Sequence, residues 1–143
     1  MSIYVVDASV ILARIIREAH TPNTRVLFRG ARSNLDQLYA PEFCRLECVN
    51  VLWKHVRFYG LSQVRAERAV KNLRALPIKL AFVGKLYTRA LQIGLKHQIA
   101  IYDSIYIALS EQLKCPLITV DAAQSRAAAA ESIVLKLITD FHP

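Results

Sequence analysis

The sequence predicts an α/β fold, a three-layer α/β/α sandwich built around a central, mostly parallel sheet. Short apolar runs rich in β-branched residues alternate with longer segments of helical periodicity along the whole chain. The apolar runs are continuous rather than interrupted by polar residues, which is typical of strands buried on both faces. The chain has 143 residues, of which 54% are hydrophobic, so we expect a single domain over residues 1–143.

The first quarter of the chain begins with a buried strand. Ile3–Val6 is an apolar run that ends at an aspartate, and Ser9 is a suitable N-cap for a helix from Val10 to about Glu18. A second helix is predicted from Thr24 to Arg32. The short apolar segment Leu38–Ala40 predicts the second strand.

The longest helix is predicted from about Glu42 to Tyr59. Pro41 opens it, where the missing N–H of proline costs nothing, and Gly60 ends it. Apolar residues at spacings of four, three and three predict the face of this helix that packs in the core. These residues are Leu46, Val49, Trp53 and Val56.

The second half continues the alternation of strands and helices. Ser62 caps a helix that ends before Pro77. Tyr102 and Tyr106 are predicted to be core residues of a later helix, with base stacking by one of them as an alternative. The remaining predicted elements are strand 78–83, helix 85–97, helix 103–113, strand 117–120, helix 122–131 and strand 133–138.

Composition narrows the class of protein. The three cysteines do not suggest a disulfide framework, and Cys44 and Cys48 are expected to be free buried thiols rather than a metal pair. No apolar run is long enough to cross a bilayer, and the N-terminus does not resemble a signal peptide, so a cytoplasmic protein is expected. The net charge of +8 favours a polyanionic partner.

Two aspartates follow predicted buried strands. Asp7 and Asp121 each lie at the carboxyl end of such a strand, where ligand sites form in parallel sheets, although each would also serve as a helix N-cap. Asp103 is the one charge in a strongly apolar segment, which predicts either a carboxylate aimed into a pocket or an N-cap. Glu47 would be an ordinary solvated helix residue on its pattern alone.

Four sequence blocks resemble the PIN-domain nucleases, most closely the short toxins of prokaryotic VapBC toxin–antitoxin pairs. The blocks are VVDASV, PEFCRLECVNVLWK, QIAIYDSIYIALSEQ and LITVDAAQSRAAA, and they span nearly the whole chain. The resemblance implies a catalytic, metal-binding site of four acids, together with three supporting polar residues. The acids are Asp7, Glu47, Asp103 and Asp121, and the supporting residues are Ser9, Asn50 and Thr119.

The resemblance also implies an activity and partners. The activity is Mg²⁺- or Mn²⁺-dependent endonucleolytic cleavage of RNA that leaves a 5′-phosphate, since carboxylates suit hard divalent cations. A cognate antitoxin and a homodimer are expected, and the high hydrophobic content leaves apolar surface to cover. One departure concerns the position after the last aspartate, where some members carry a further acid and this chain has Gln124. Occupancy of a second metal position is therefore left open.

Several basic residues are candidates for RNA contacts. Arg14, Arg17 and Lys54 are expected nearest the acids. A further basic series recurs every third residue on one predicted helix, and because it wraps around the helix we interpret it as a solvated surface rather than an RNA track. This series consists of Arg65, Arg68, Lys71 and Arg74.

Three other functions fit parts of the pattern. A PIN nuclease of RNA processing or decay without an antitoxin would have the same acids. A non-catalytic RNA- or protein-binding module would have no need of four repelling carboxylates. An unrelated phosphatase or receiver-like domain also places aspartates at strand ends, but it gives no role to Glu47.

Overall fold

The structure, a computed structural model, describes residues 1–143 and confirms the predicted α/β class. Four strands form one parallel sheet in the order β3-β2-β1-β4. The strands are β1 (Ser2–Val6), β2 (Asp36–Pro41), β3 (Lys79–Ala81) and β4 (Leu117–Ile118).

Seven α-helices cover the sheet. The right-handedness of parallel crossovers places the helices between β1 and β3 on one face and those between β3 and β4 on the other. The helices are α1 (Ala8–Ile15), α2 (Thr21–Arg32), α3 (Cys44–Phe58), α4 (Gln63–Arg74), α5 (Tyr87–His97), α6 (Ile101–Leu113) and α7 (Ala122–Ala130). No helix of the structure is long and apolar enough to cross a membrane.

The first strand is the centre of the core because its apolar residues are covered on both sides. Val5 and Val6 are completely buried, and β1 pairs with β2 on one side and with β4 on the other. The chain passes from β1 to β2 and β3 on one side of β1 and then crosses back to β4 on its other side, so β1 and β4 flank the topological switch point where such sheets bind ligands. The backbone N–H of Asp7 donates to the carbonyl of Ile118 at 3.0 Å, which aligns the two strand ends.

The structure changes several predicted helix starts. Helix α1 is capped by Asp7 rather than Ser9, whose N–H donates to the Asp7 carboxylate at 3.0 Å. Helix α2 begins at Thr21, with proline in its first turn, instead of at Thr24. The predicted cap of α4 is confirmed, since Ser62 accepts a hydrogen bond from the N–H of Arg65.

The predicted core face of α3 was wrong. The buried residues of this helix are Cys44, Cys48 and Leu52, spaced four apart. Apolar residues occur on more than one side of α3, and the small thiols let the helix pack closely against α1, where Cys48 Sγ lies 3.9 Å from the carbonyl oxygen of Ala8. The predicted stripe is instead exposed, with Leu46 at 72% and Trp53 at 56%. Both thiols are free and buried, as predicted.

The last predicted strand was also largely wrong. Residues 133–138 form one isolated parallel bridge between Leu117 and Leu135 and lead into a 3₁₀ turn at Ile138–Asp140. Only two hydrogen bonds join this segment to β4, because β4 itself has only two residues. The predicted strand at 78–83 is similarly reduced to Lys79–Ala81.

Candidate active site

Asp7 lies at the end of β1 and is almost completely buried. One carboxylate oxygen, Oδ2, accepts hydrogen bonds from the Ser9 N–H at 3.0 Å and from the Thr119 hydroxyl at 3.3 Å. The other, Oδ1, accepts from the side-chain amide of Gln124 at 3.1 Å. Burial raises the pKa of Asp7 even though these neutral donors favour its charged form. No cation lies against this carboxylate, so its charge is compensated only in part.

Ser9 and Thr119 join the start of α1 to the loop after β4. Their hydroxyl oxygens are 3.3 Å apart. The N–H of Val120 donates to Ser9 Oγ at 3.2 Å, and the N–H of Asp121 donates to Thr119 Oγ1 at 3.0 Å. The two hydroxyl groups therefore hold the loop that carries Asp121 beside Asp7.

Asp121 is exposed and caps α7, where its Oδ1 accepts from the N–H of Gln124 at 2.7 Å. A carboxylate at this position is stabilised by the positive end of the helix dipole. The capping role considered for Asp7 and Asp121 from their sequence positions is thus present in both residues. It is compatible with a site, because each carboxylate lies at the switch-point edge of the sheet.

Glu47 lies in the first turn of α3, with its side chain half-buried. The Tyr106 hydroxyl, on α6, donates to Glu47 Oε1 at 2.9 Å. Burial and the negative charges of Asp7 and Asp103 raise the pKa of Glu47 to about 7. Glu47 is therefore not the solvated helix glutamate that its sequence position alone would suggest.

Asp103 lies in the first turn of α6 and is not an N-cap, because Ala100 occupies the cap position. Its side chain is half-buried and makes no hydrogen bond of its own within the protein. Burial raises the pKa of Asp103 to about 6, with further contributions from the negative charges of Asp7 and Asp121. The charge of Asp7 thus acts on both Glu47 and Asp103, and the charge of Asp121 acts on Asp103, which links the four acids electrostatically.

A groove of about 650 Å³ opens beside this acidic cluster. Glu47 and Asp103 line it, together with Asn50 and Lys54 from successive turns of α3. Tyr102 and Phe43 also line it, and their rings pack edge to face at 5.2 Å. The prediction that Tyr102 is a core residue was wrong, because its side chain is 62% exposed, whereas Tyr106 is fully buried.

The three basic residues predicted to contact RNA occupy two places. Lys54 lies in the groove. Arg14 is in the last turn of α1 and Arg17 follows it, and both line a separate pocket between α1, α2 and α4. Neither arginine lies in the groove beside the acids.

The chemistry of the donor set suits a hard divalent cation. All the candidate ligands are carboxylate oxygens, and they repel one another at neutral pH in the absence of a nearby cation. In this structure no three acidic, histidine or cysteine side chains lie close enough together to coordinate a metal ion as a group. Asp103 lacks a competing hydrogen bond, which leaves its oxygens available to a cation.

Two residues of the cluster, Gln124 and Tyr106, were named in the sequence analysis, but their roles were missed. Gln124 is completely buried, and its amide Nε2 donates to Asp7 Oδ1 and to the Asp103 carbonyl, both at 3.1 Å. Glutamine three residues after an N-cap aspartate is a capping-box spacing, which could have drawn attention to it. Tyr106 was recognised as a core residue, but no sequence pattern indicates that its hydroxyl contacts Glu47, 59 residues away.

The comparisons with known proteins agree with the fold. The PIN domain family matches residues 4–130. The chain is 29% identical over 119 residues to the protein named ribonuclease VapC3 of Pyrobaculum aerophilum, an alignment that covers 82% of this chain and 88% of that protein. It is 28% identical over 127 residues to ribonuclease VapC9 of Mycobacterium tuberculosis, covering 89% of this chain and 92% of that protein.

Two solved structures share the fold. The crystal structure of PAE2754 from Pyrobaculum aerophilum superposes with a TM-score of 0.71 at 18% identity, covering 97% of this chain and 91% of that chain. VapBC2 from Rickettsia felis, bound to a DNA fragment from its promoter, gives a TM-score of 0.65 at 12% identity, covering 94% and 98%. Because the family match extends over most of the chain, the protein belongs to the PIN-domain family.

Proposed function

We propose that this protein is a divalent-metal-dependent endoribonuclease and the toxin of a toxin–antitoxin pair. The observation that carries the proposal is the gathering of four carboxylates at the switch-point edge of a parallel sheet, without a basic partner. The relatives named VapC ribonucleases support the activity, and the fold shared with the VapBC2 complex is consistent with it.

The proposed cation ligands are Asp7, Glu47, Asp103 and Asp121. A bound Mg²⁺ or Mn²⁺ supplies positive charge and Lewis acidity for hydrolysis of a phosphodiester bond. Ser9 and Thr119 fix the position of Asp7 through their hydroxyl groups. The Tyr106 hydroxyl holds one oxygen of Glu47 and leaves the other free. The protein's contribution is thus a set of carboxylates of which three, Asp7, Glu47 and Asp121, are oriented by hydrogen bonds before RNA binds.

The groove beside the acids is proposed to hold the RNA strand. Asn50 and Lys54 provide an amide and a cation for the sugar and phosphate, at one and two helical turns from Glu47. Tyr102 is exposed beside Asp103 and offers a surface for base stacking. Single-stranded RNA suits this arrangement, because an unpaired base is free to stack on an aromatic ring.

Expression in a bacterial host tests the activity. We expect the wild-type protein to arrest growth and to produce RNA ends with 5′-phosphates, whereas Asp7→Asn at matched expression should do neither. Removal of divalent cations with EDTA should stop cleavage by the purified protein. Cleavage that survives exhaustive EDTA treatment would rule out the metal mechanism. RNA cleavage without growth arrest, and without a small antitoxin gene upstream, would favour a processing nuclease.

A homodimer and an antitoxin complex are proposed to cover the exposed apolar face of α3. Leu46, Val49, Trp53 and Val56 are all on the surface of this helix. A stripe of this kind on an isolated chain marks an interaction surface. We expect light scattering at micromolar concentration to give twice the mass of one chain. A mass of 16.1 kDa would contradict the dimer.

A further inference from the structure

Five arginine side chains line a pocket of about 230 Å³ outside the acidic cluster. The pocket lies where α1 packs against α2 and α4. We call it the arginine pocket, and its basic residues are Arg14, Arg17, Arg25, Arg65 and Arg68.

No carboxylate neutralises these five guanidinium groups. None of them lies within 4.0 Å of an acidic side chain, although ion pairs occur elsewhere in the protein. An arginine remains charged in almost any protein environment, so this concentration of charge cannot be relieved by loss of protons. Like charges gathered without a counter-ion indicate that the counter-ion comes from outside the chain.

Arg14 provides an independent observation. Its Nε atom is buried yet makes no hydrogen bond, so this guanidinium has a donor with no partner in the protein. Burial and the charges of Arg25 and Arg32 lower the pKa of Arg14, which is the expected effect of placing it among other cations. Arg14 lines the pocket, and an anion bound there would supply oxygen atoms to its guanidinium group.

The position of the pocket relates it to the acids. Arg14 follows Asp7 by seven residues, which places the two on nearly the same side of α1 and about 10 Å apart along its axis. We propose that the arginine pocket binds a backbone phosphate of the RNA strand whose scissile phosphodiester lies at the carboxylate cluster, more than one nucleotide away. This inference rests on the proposed ribonuclease function and adds a second anchoring point to it.

The chemistry of the pocket favours a phosphate. Guanidinium groups present planar, paired donors that match phosphate oxygens, and several of them can share the oxygens of one phosphate group. The earlier interpretation of Arg65 and Arg68 as part of a solvated helix surface therefore changes. Lys71 and Arg74, from the same basic series, do not line the pocket and keep that interpretation.

Metal-free RNA binding provides the test, because it does not depend on cleavage. A labelled single-stranded RNA would be titrated in EDTA with the wild type, with Arg65→Gln/Arg68→Gln and with Lys71→Gln/Arg74→Gln. The two double variants remove the same charge from exposed positions of the same helix. We expect the first to weaken binding roughly tenfold and the second to have much less effect.

The salt dependence separates a phosphate contact from a general loss of charge. The slope of log affinity against log salt should fall by about 0.7 for each phosphate contact that is lost in Arg65→Gln/Arg68→Gln. Inorganic phosphate, compared with chloride at equal ionic strength, should raise the Tm of the wild type more than that of this variant. Should this variant fail to fold, Arg17→Gln/Arg25→Gln, on the other side of the pocket, gives the same comparison.

Equal RNA affinity and equal salt slopes in the two double variants would overturn the inference. So would a variant that binds RNA normally but no longer forms a complex with a co-expressed protein partner, since the pocket would then be a protein site. Failure of the proposed function is a different result. A wild type that never cleaves RNA in Mg²⁺ or Mn²⁺, while only the pocket variant loses RNA binding, would leave the pocket assignment intact.

Discussion

At the scale of single residues, the four carboxylates differ in the contacts that orient them. Asp7 is held by three neutral donor groups and Glu47 by one tyrosine hydroxyl, whereas Asp103 has only its helix terminus. Because these donor groups are neutral, they orient the carboxylates without compensating their negative charge. The remaining repulsion lowers the free energy of unfolding in the absence of metal. The same charge is a requirement for holding a cation.

Asp103→Asn separates these two effects. The substitution keeps the shape of the side chain and removes one negative charge from the cluster. We expect RNA cleavage in Mg²⁺ to fall by at least about 100-fold, while the metal-free Tm stays level or rises because repulsion is relieved. RNA binding in EDTA should persist. Cleavage at a near wild-type rate, measured by gel assay, would show that Asp103 has no catalytic role.

Gln124→Met tests the positioning of Asp7. The substitution keeps the volume of a completely buried side chain but removes the amide that donates to Asp7 and to the Asp103 carbonyl. We expect a loss of about 1–3 kcal/mol in the free energy of unfolding, because two buried acceptors lose a donor. Gln112→Met on the exposed surface of α6 is the control and should change stability little. Equal denaturation midpoints for the two variants would count against this role.

At the scale of secondary-structure elements, an ionic network joins α5 and α6 to the end of α7. Glu131 follows α7 and accepts from Arg89 at 2.7 Å, from Lys96 at 3.0 Å and from His97 at 2.6 Å. Arg89 also pairs with Glu111 on α6. These contacts fix the helix that carries Gln124 and Asp121, so the network supports the cluster from a distance.

Glu131→Gln should reduce stability in a pH-dependent manner. The hydrogen bonds from His97, Arg89 and Lys96 lower the pKa of Glu131 to about 2. A depressed carboxyl pKa adds stability above its unfolded value, and this stability is lost as pH falls from about 4.5 towards 2. The variant should therefore be less stable than the wild type at neutral pH and converge with it near pH 2 in denaturation experiments.

The control for this network is Asp140→Asn, which removes an exposed i,i+4 pair with Lys136 at 3.6 Å. An exposed pair contributes little, so this variant should show almost no pH-dependent difference from the wild type. A Glu131→Gln variant as stable as Asp140→Asn at neutral pH would show that the network does not anchor α7.

At the scale of the whole molecule, acidic and basic groups are separated in space. The carboxylates gather at one edge of the sheet, while the surplus of 19 basic over 11 acidic residues is spread over the rest of the chain. The basic surface attracts a polyanion, and the acidic edge excludes it unless a cation is present. This separation of charge is what the proposed joint binding of nucleic acid and divalent metal requires.

Stability without metal should fall as pH rises, whereas the stabilisation by a divalent cation should increase with pH. The pKa values of Glu47 and Asp103 are raised to about 7 and about 6, so the folded state holds protons that the unfolded state has released. Metal-free stability from these groups is therefore greatest below about pH 4 and is lost as pH rises to about 7.

Mg²⁺ should consequently raise the Tm more at about pH 7.5 than at about pH 5, because protonated carboxyl groups do not bind it. Thermal denaturation with Mg²⁺ or EDTA at both pH values makes the comparison. Asp103→Asn is the matched variant and should show a smaller response at the higher pH. An Mg²⁺ effect that is equal at both pH values would contradict a carboxylate site.

The sequence by itself determined the alternation of strands and helices and placed Asp7 directly after β1, because these features depend on local patterns. Asp121, predicted directly after the last-but-one strand, lies in the loop beyond β4, because that strand ends earlier, at Ile118. The sequence did not determine which face of α3 is buried, since this helix has apolar residues on two sides. Gln124 contacts Asp7 across 117 positions, and the arginine pocket joins three helices. Only the tertiary structure decides such contacts, because they depend on how distant elements pack rather than on any local preference.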